Sequence, residues 1–196
     1  MDEIESFAQY LESNFRHLNS LQGIGYSLGG RLLFSLTMAM PKLISGAVYI
    51  SSGFPLRNPK DRYNKYKFNR LVSHKLNANP PSEFLNWWYQ LPIYKGLVDH
   101  PKFSQMIQEK TAYFDPVKIN QLLQGFNSLN MSFSSPSCTP SLYLNGELDQ
   151  KYHTIATQFV QQFLSDVTVV SIPNASHLCH WESPLLVQES IKQWAA

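Results

Sequence analysis

The chain has 196 residues, 43% of them apolar and 15% charged, with a formal net charge of +2. That length carries one domain with a substantial core, the composition is that of a globular chain, and so small a charge argues against nucleic acid as a partner. Two cysteines, Cys138 and Cys179, read as free thiols of a reducing compartment; the acidic start Met1-Asp2-Glu3 is unlike a signal peptide, and no run nears the roughly 18 apolar residues that cross a bilayer, so a cytoplasmic protein without membrane attachment is expected.

In chain order, Ile4, Phe7, Ala8, Leu11 and Phe15 recur at helical spacing, with Asp2 and Glu3 suited to the helix N-terminus. Residues 21–26 read as a short strand, 31–40 as a helix stopped near Pro41, and 43–51 as a strand buried on both faces. From 54 to 136 charged and aromatic residues dominate and long helical patterns appear, which predicts an inserted helical cap between core segments 1–53 and 137–196. The strand–helix rhythm then resumes, with strands at 141–144 and 167–172 and helices at 155–164 and 184–194. Such alternation implies βαβ units and a mostly parallel sheet.

The strongest local signal is Gly25-Tyr26-Ser27-Leu28-Gly29, a G-x-S-x-G at a strand-to-helix turn. A nucleophile elbow of this kind strains the serine backbone, lifts the hydroxyl above the sheet, and needs glycine on either side so that strand and helix can pass closely. The amide of Leu28, at the helix N-terminus, is placed to face a developing oxyanion. The acid and base should follow at later strand ends. Asp149 is preferred to Glu147 because it completes a G-x-x-D turn after the strand at 141–144. His177 is preferred to His180 because it follows the small residues of the next strand's loop directly. His17, His74, His100 and His153 read as ordinary surface residues.

These residues together predict an α/β-hydrolase fold, and the chain resembles one family within it, the 2-succinyl-6-hydroxy-2,4-cyclohexadiene-1-carboxylate synthases of menaquinone and phylloquinone biosynthesis. The resemblance rests on 25–31 (GYSLGGR), 88–94 (WYQLPIY), 146–152 (GELDQKY) and 177–184 (HLCHWESP). It implies a lyase that eliminates pyruvate from a cyclohexene bearing an enolpyruvyl group, with Ser27, Asp149 and His177 abstracting a ring proton. It also implies a small polycarboxylate substrate met by Tyr26, Leu28, Arg31, Lys65, Trp88, Tyr89 and Lys110. Arg31 is the cation one helical turn beyond the serine.

The family usually supplies two further arginines from the cap, and Lys65 and Lys110 stand at those positions. Lysine keeps the charge and loses the planar fork; Arg62 or Arg70 are candidates to compensate. The family's elbow also follows several strands that have no counterpart before Ser27, so a bare sheet edge and a missing second oxyanion donor are expected. Two other functions stay open: a serine hydrolase of a small ester or thioester, and a catalytically dead remnant serving as an interaction surface. No metal, nucleotide or other cofactor is expected, because neither ligand spacing nor a phosphate-cradling loop occurs. A monomer or weak oligomer is the expected state.

Overall fold

The computed structural model describes residues 3–15, 17–18, 20–131 and 133–196, with side chains from residue 6 onward. The expectations for Asp2 and for the side chains of Glu3 and Ile4 lie outside the described residues. Four strands, β1 (Leu21–Tyr26), β2 (Ile44–Ile50), β3 (Ser141–Gly146) and β4 (Val167–Ile172), form one parallel sheet in the order β1-β2-β3-β4. Tyr26 lies opposite Ile50, Ile50 opposite Leu144, and Leu144 opposite Val170. Because the strands are parallel and in step, every loop that leaves a strand's C-terminal end emerges at one edge of the sheet.

The two central strands, β2 and β3, are buried on both faces. Ala47, Tyr49 and Tyr143 face a core with Leu33 and Phe34 of helix α2 (Leu28–Ala39) and with Ala156, Val160 and Phe163. The alternating partners Val48, Ile50, Leu142 and Leu144 face the opposite core, which Val187 of the last helix closes. This two-sided burial explains why β2 and β3 read as continuous apolar runs. β1 is an outer strand, paired only with β2 among the described residues, so its other edge is bare as expected, and Ile24 on it is 63% exposed. Helix α1 (Glu3–Phe15) packs against α2.

Between β2 and β3 lie four helices and, among the described residues, no strand: α3 (Pro59–Ala78), α4 (Pro81–Tyr89), α5 (Phe103–Ala112) and α6 (Pro116–Gly125). α3 and α6 each begin with proline at the first helical position after a side-chain cap. Asn58 accepts from the Lys60 amide, and Asp115 accepts from the Lys118 amide. Val72, Leu76, Phe84, Leu85, Tyr94 and Met106 give this layer its own core, which joins the sheet through Leu178 and Tyr26.

Two helices differ from expectation. α2 starts at Leu28 rather than near residue 31, because the helix begins directly at the elbow. The segment expected as a helix over 155–164 is helical from Gln150, passing from an α-turn, α7 (Gln150–Thr154), through a π-turn (Ile155–Phe159) to a 3-10 turn ending at Gln162. Thr154 and Thr157 donate back to the carbonyls of Gln150 and His153, a pattern that bends helices. The short α8 (Cys179–Glu182) and the closing α9 (Pro184–Ala195) complete the chain.

Candidate active site

Ser27 sits between β1 and α2 at φ 48 and ψ −102, a conformation that costs a non-glycine residue on the order of 1–3 kcal/mol. The strain has a structural cause, the tight crossing of strand and helix. A Cβ on Gly25 would lie 2.6 Å from the Gly29 carbonyl oxygen, and one on Gly30 would lie 2.4 Å from Ser52 Oγ. A Cβ on Gly29 would meet nothing within 4 Å. The glycine that must face Gly25 is therefore Gly30, and the expected need for Gly29 is corrected: its Cβ direction points into open space. The Leu28 amide makes no backbone hydrogen bond among the described residues, which leaves it available to an anion at the elbow.

The other two strand ends bring acid and base to the serine. Asp149 caps α7 and is fully buried; its Oδ1 accepts from the Tyr152 amide at 3.2 Å. Its Oδ2 accepts from His177 Nδ1 at 2.7 Å, so Nδ1 carries the hydrogen and Nε2 is free to accept from Ser27 Oγ, 3.0 Å away. Gly146 makes this possible, because a Cβ there would stand 2.0 Å from the Ser176 carbonyl oxygen; only glycine lets the acid and base loops touch. Glu147 lies outside the line and reaches the Asn174 amide instead. Glu182 accepts from the Ser176 amide and hydroxyl and so fixes the histidine loop from below.

His177 is 1% exposed and lies in a sleeve of phenol rings, those of Tyr152 at 4.6 Å, Tyr26 at 5.3 Å and Tyr94 at 5.4 Å between ring centroids. Burial lowers its pKa below the ordinary imidazole value, and the Asp149 hydrogen bond only partly offsets that. The ring is therefore a neutral base at pH 7, ready to accept a proton from the serine. Burial and the neighbouring phenols push Tyr26 well above its ordinary value, so it stays a neutral donor.

Cations surround this line. Arg31 is 6% exposed, and its one side-chain hydrogen bond among the described residues runs from Nε to the Phe126 carbonyl at 2.7 Å. Lys65 is held down to about 7 by burial and then by the charges of Arg31 and Lys151. Lys151 stands 4.9 Å over the Tyr152 ring, and Lys110 stands 5.6 Å over Tyr89. Among the described residues none of these four pairs with a carboxylate; the two recorded contacts are Lys118–Asp115 and His177–Asp149. Four unpaired cations, one of them nearly buried, make the site complementary to a polyanion.

The remaining expectations divide. Trp88 lines a cavity in the cap and donates from Nε1 to the Tyr94 hydroxyl at 2.8 Å. Tyr89 belongs instead to the cap core, packed against Phe103 and against Tyr94, through which it backs the rings around His177. Arg62 and Arg70 do not compensate for the lysines: both are exposed, Arg62 turned to the Leu56 carbonyl and Arg70 lying over Tyr66. His180 is a neighbour of the site, its ring 4.3 Å from Tyr26 and its buried Nδ1 without a protein partner. His100 and His153 are half-buried rather than surface residues; one packs on Trp181, the other meets Asn145 and Ser171. Sequence reasoning missed Lys151 as a site cation, although its place two residues after Asp149 was a usable signal. No cluster of metal-ligating side chains occurs among the described residues, and no helix is long and apolar enough to cross a membrane.

No family model matches the chain. It is 26% identical over 182 residues to the chloroplastic protein PHYLLO of Arabidopsis thaliana, covering 87% of this chain and 11% of that protein. It is 25% identical over 185 residues to the 2-succinyl-6-hydroxy-2,4-cyclohexadiene-1-carboxylate synthase of Escherichia coli O1:K1, covering 87% of this chain and 66% of that enzyme. The chain thus spans less than two thirds of the length of either relative. Among solved structures, MenH from S. aureus superimposes with a TM-score of 0.80 at 18% identity, covering 98% of this chain and 76% of that one. A thermophilic esterase from Thermogutta terrifontis follows the same backbone at 0.70 and 19%, covering 98% and 71%. The chain therefore has an α/β-hydrolase fold and is a relative, at modest identity, of the 2-succinyl-6-hydroxy-2,4-cyclohexadiene-1-carboxylate synthases and of PHYLLO.

Proposed function

We propose that this chain provides the catalytic residues of a lyase that eliminates pyruvate from 2-succinyl-5-enolpyruvyl-6-hydroxy-3-cyclohexene-1-carboxylate. The observation that carries the reading is the ring of unpaired cations, Arg31, Lys65, Lys110 and Lys151, around a Ser27–His177–Asp149 line. A simple ester needs none of those charges, whereas this substrate bears three carboxylates, on the ring, the enolpyruvyl group and the succinyl arm.

The chemistry follows from the positions in the name. Ring carbon 2 lies beside the succinyl ketone, so its hydrogen is acidic. Ser27, its own proton drawn to His177 Nε2, takes that hydrogen, and Asp149 stabilises the imidazolium. The released electron pair forms a 2,3 double bond, the existing 3,4 double bond shifts to 4,5, and the C–O bond at carbon 5 breaks. Enolpyruvate leaves and takes up a proton to become pyruvate. Charge developing on the ketone oxygen would be met by the Leu28 amide. No cofactor enters, and a cytoplasmic, monomeric or weakly associating protein belongs to the same reading.

Pyruvate release from the enolpyruvyl substrate, followed by a coupled dehydrogenase, tests it. Release that disappears in Ser27→Ala is expected; a folded protein that releases none sinks the proposal. The rival, an ester or thioester hydrolase, draws on the free Leu28 amide, which acyl transfer also needs. It would give an acyl-enzyme burst with a chromogenic ester, lost in Ser27→Ala. A remnant acting only as an interaction surface is motivated by the bare β1 edge and would give neither signal.

A further inference from the structure

Where α3 crosses α6 the cap holds a small cavity, open in part to solvent and lined by Lys65, Asn69, Asn120, Gln124 and the ring of Trp88. Two side-chain atoms here are buried without a protein partner among the described residues, Asn69 Nδ2 on α3 and Asn120 Oδ1 on α6. Leaving a buried amide group unpaired costs about 1–3 kcal/mol, so two such groups on residues that line one cavity, beside an unpaired ammonium, call for a polar occupant. A carboxamide offers a donor or an acceptor according to a half-turn of its end group, so both asparagines can donate to the same anion. The other cations of the site, Arg31 and Lys151, lie close enough to Lys65 to depress it, so the cavity is continuous in charge with the serine. It is one aromatic layer away from His177, through Trp88 and the Tyr94 ring.

Resting on the lyase reading, we infer that Asn69 and Asn120 are specificity-determining residues, which with Lys65 receive the terminal carboxylate of the substrate's succinyl arm. The placement selects that carboxylate. The ring must present carbon 2 to Ser27, and the succinyl chain leaves that same carbon and carries its carboxylate four atoms out. A flexible arm of that length can pass Trp88 into the cap, while the ring carboxylate stays beside the reacting carbon. A single buried water would satisfy one amide but would leave the ammonium without a counter-charge.

The probe is 4-oxopentanoate, the succinyl arm ending in a methyl ketone, with its methyl ester as the uncharged control. Titrated into the ¹⁵N-labelled chain, 4-oxopentanoate is expected to shift the side-chain amide resonances of Asn69 and Asn120, and the ester is expected to leave them in place. Asn69→Leu and Asn120→Leu should each weaken binding about tenfold, the worth of one hydrogen bond to a charged group. In turnover they should raise KM by a like factor with kcat nearly unchanged, a split that general loosening of the cap would not produce. Amide resonances that do not move, or that move equally with inorganic phosphate, overturn the inference. Binding of 4-oxopentanoate without pyruvate release overturns the lyase reading and leaves the carboxylate site standing. Pyruvate release with KM untouched in both leucine variants does the reverse.

Discussion

Replacing Lys65 with arginine separates the charge at this position from its titration. Burial and the nearby Arg31 and Lys151 charges bring the Lys65 ammonium to about 7. If only the charged form holds a substrate carboxylate, kcat/KM, which reports the free enzyme, varies as 1/(1 + 10^(pH − 7)). It then falls about tenfold between pH 6 and pH 8. The fall has a floor, because a hydrogen bond to a charged group contributes only about 1.5–3 kcal/mol, or roughly 10- to 150-fold in all. His177 does not produce this limb: a base that must be neutral loses activity as pH falls, the opposite direction, and burial moves its titration further toward acid. An arginine stays charged throughout, so Lys65→Arg should be flat to within about twofold from pH 6.5 to 9. Lys65→Met should resemble the native protein at pH 9 and fall below it at pH 6. Initial rates of pyruvate release across that range provide the assay. A native alkaline limb that survives unchanged in the arginine variant would refute the reasoning, since the titrating group would then lie elsewhere.

Other outcomes follow from the backbone. Ser27→Gly should abolish turnover by a factor on the order of 10³ or more, while relief at φ 48 raises stability by about 1 kcal/mol, read as a higher Tm. Gly25→Ala should destabilise the chain by roughly 1–3 kcal/mol in a urea titration, since its Cβ would meet the α2 backbone. Gly29→Ala should lie within about 0.5 kcal/mol of the native protein or gain slightly, because that Cβ meets nothing; equal effects at the two glycines would overturn the account of the elbow. Gly146→Ala should both destabilise and inactivate, because the acid and base loops must part. Its signature is loss of the downfield His177 Nδ1 proton signal together with activity.

The elbow and the two later strand ends were legible in the sequence because each depends on few residues. A strand, a serine and a helix start are local features, and parallel strands in step bring their loops to one edge without further information. The choice of Asp149 over Glu147 also rested on local turn chemistry. What escaped was set by packing between distant segments. Gly30 rather than Gly29 faces Gly25 because of where Ser52 arrives from β2. Asn69 and Asn120 matter only because α3 lies across α6, 51 positions apart in the chain. The inward turn of Lys65 did leave a trace. Lys65, Asn69, Val72 and Leu76 repeat at helical spacing and form one stripe, with Val72 and Leu76 buried, while Tyr66 and Arg70 fall on the exposed side. Following that stripe would have set Arg70 aside, whereas Arg62 shares the spacing and is exposed in the first turn of α3.

The division into core and cap also bears on why His177 is held from two sides. Its Nδ1 is fixed by Asp149 from the sheet, but its backbone amide donates to the Ile93 carbonyl of the cap at 3.0 Å. Tyr94, the next residue, lays its ring edge-on to the imidazole and accepts from Trp88. The segment that bears on the histidine from the cap is thus tied to the wall of the Lys65–Asn69 cavity. These contacts are made by packed rings and one backbone hydrogen bond without any occupant of the cavity, which agrees with an anion there that changes KM and leaves kcat nearly unchanged.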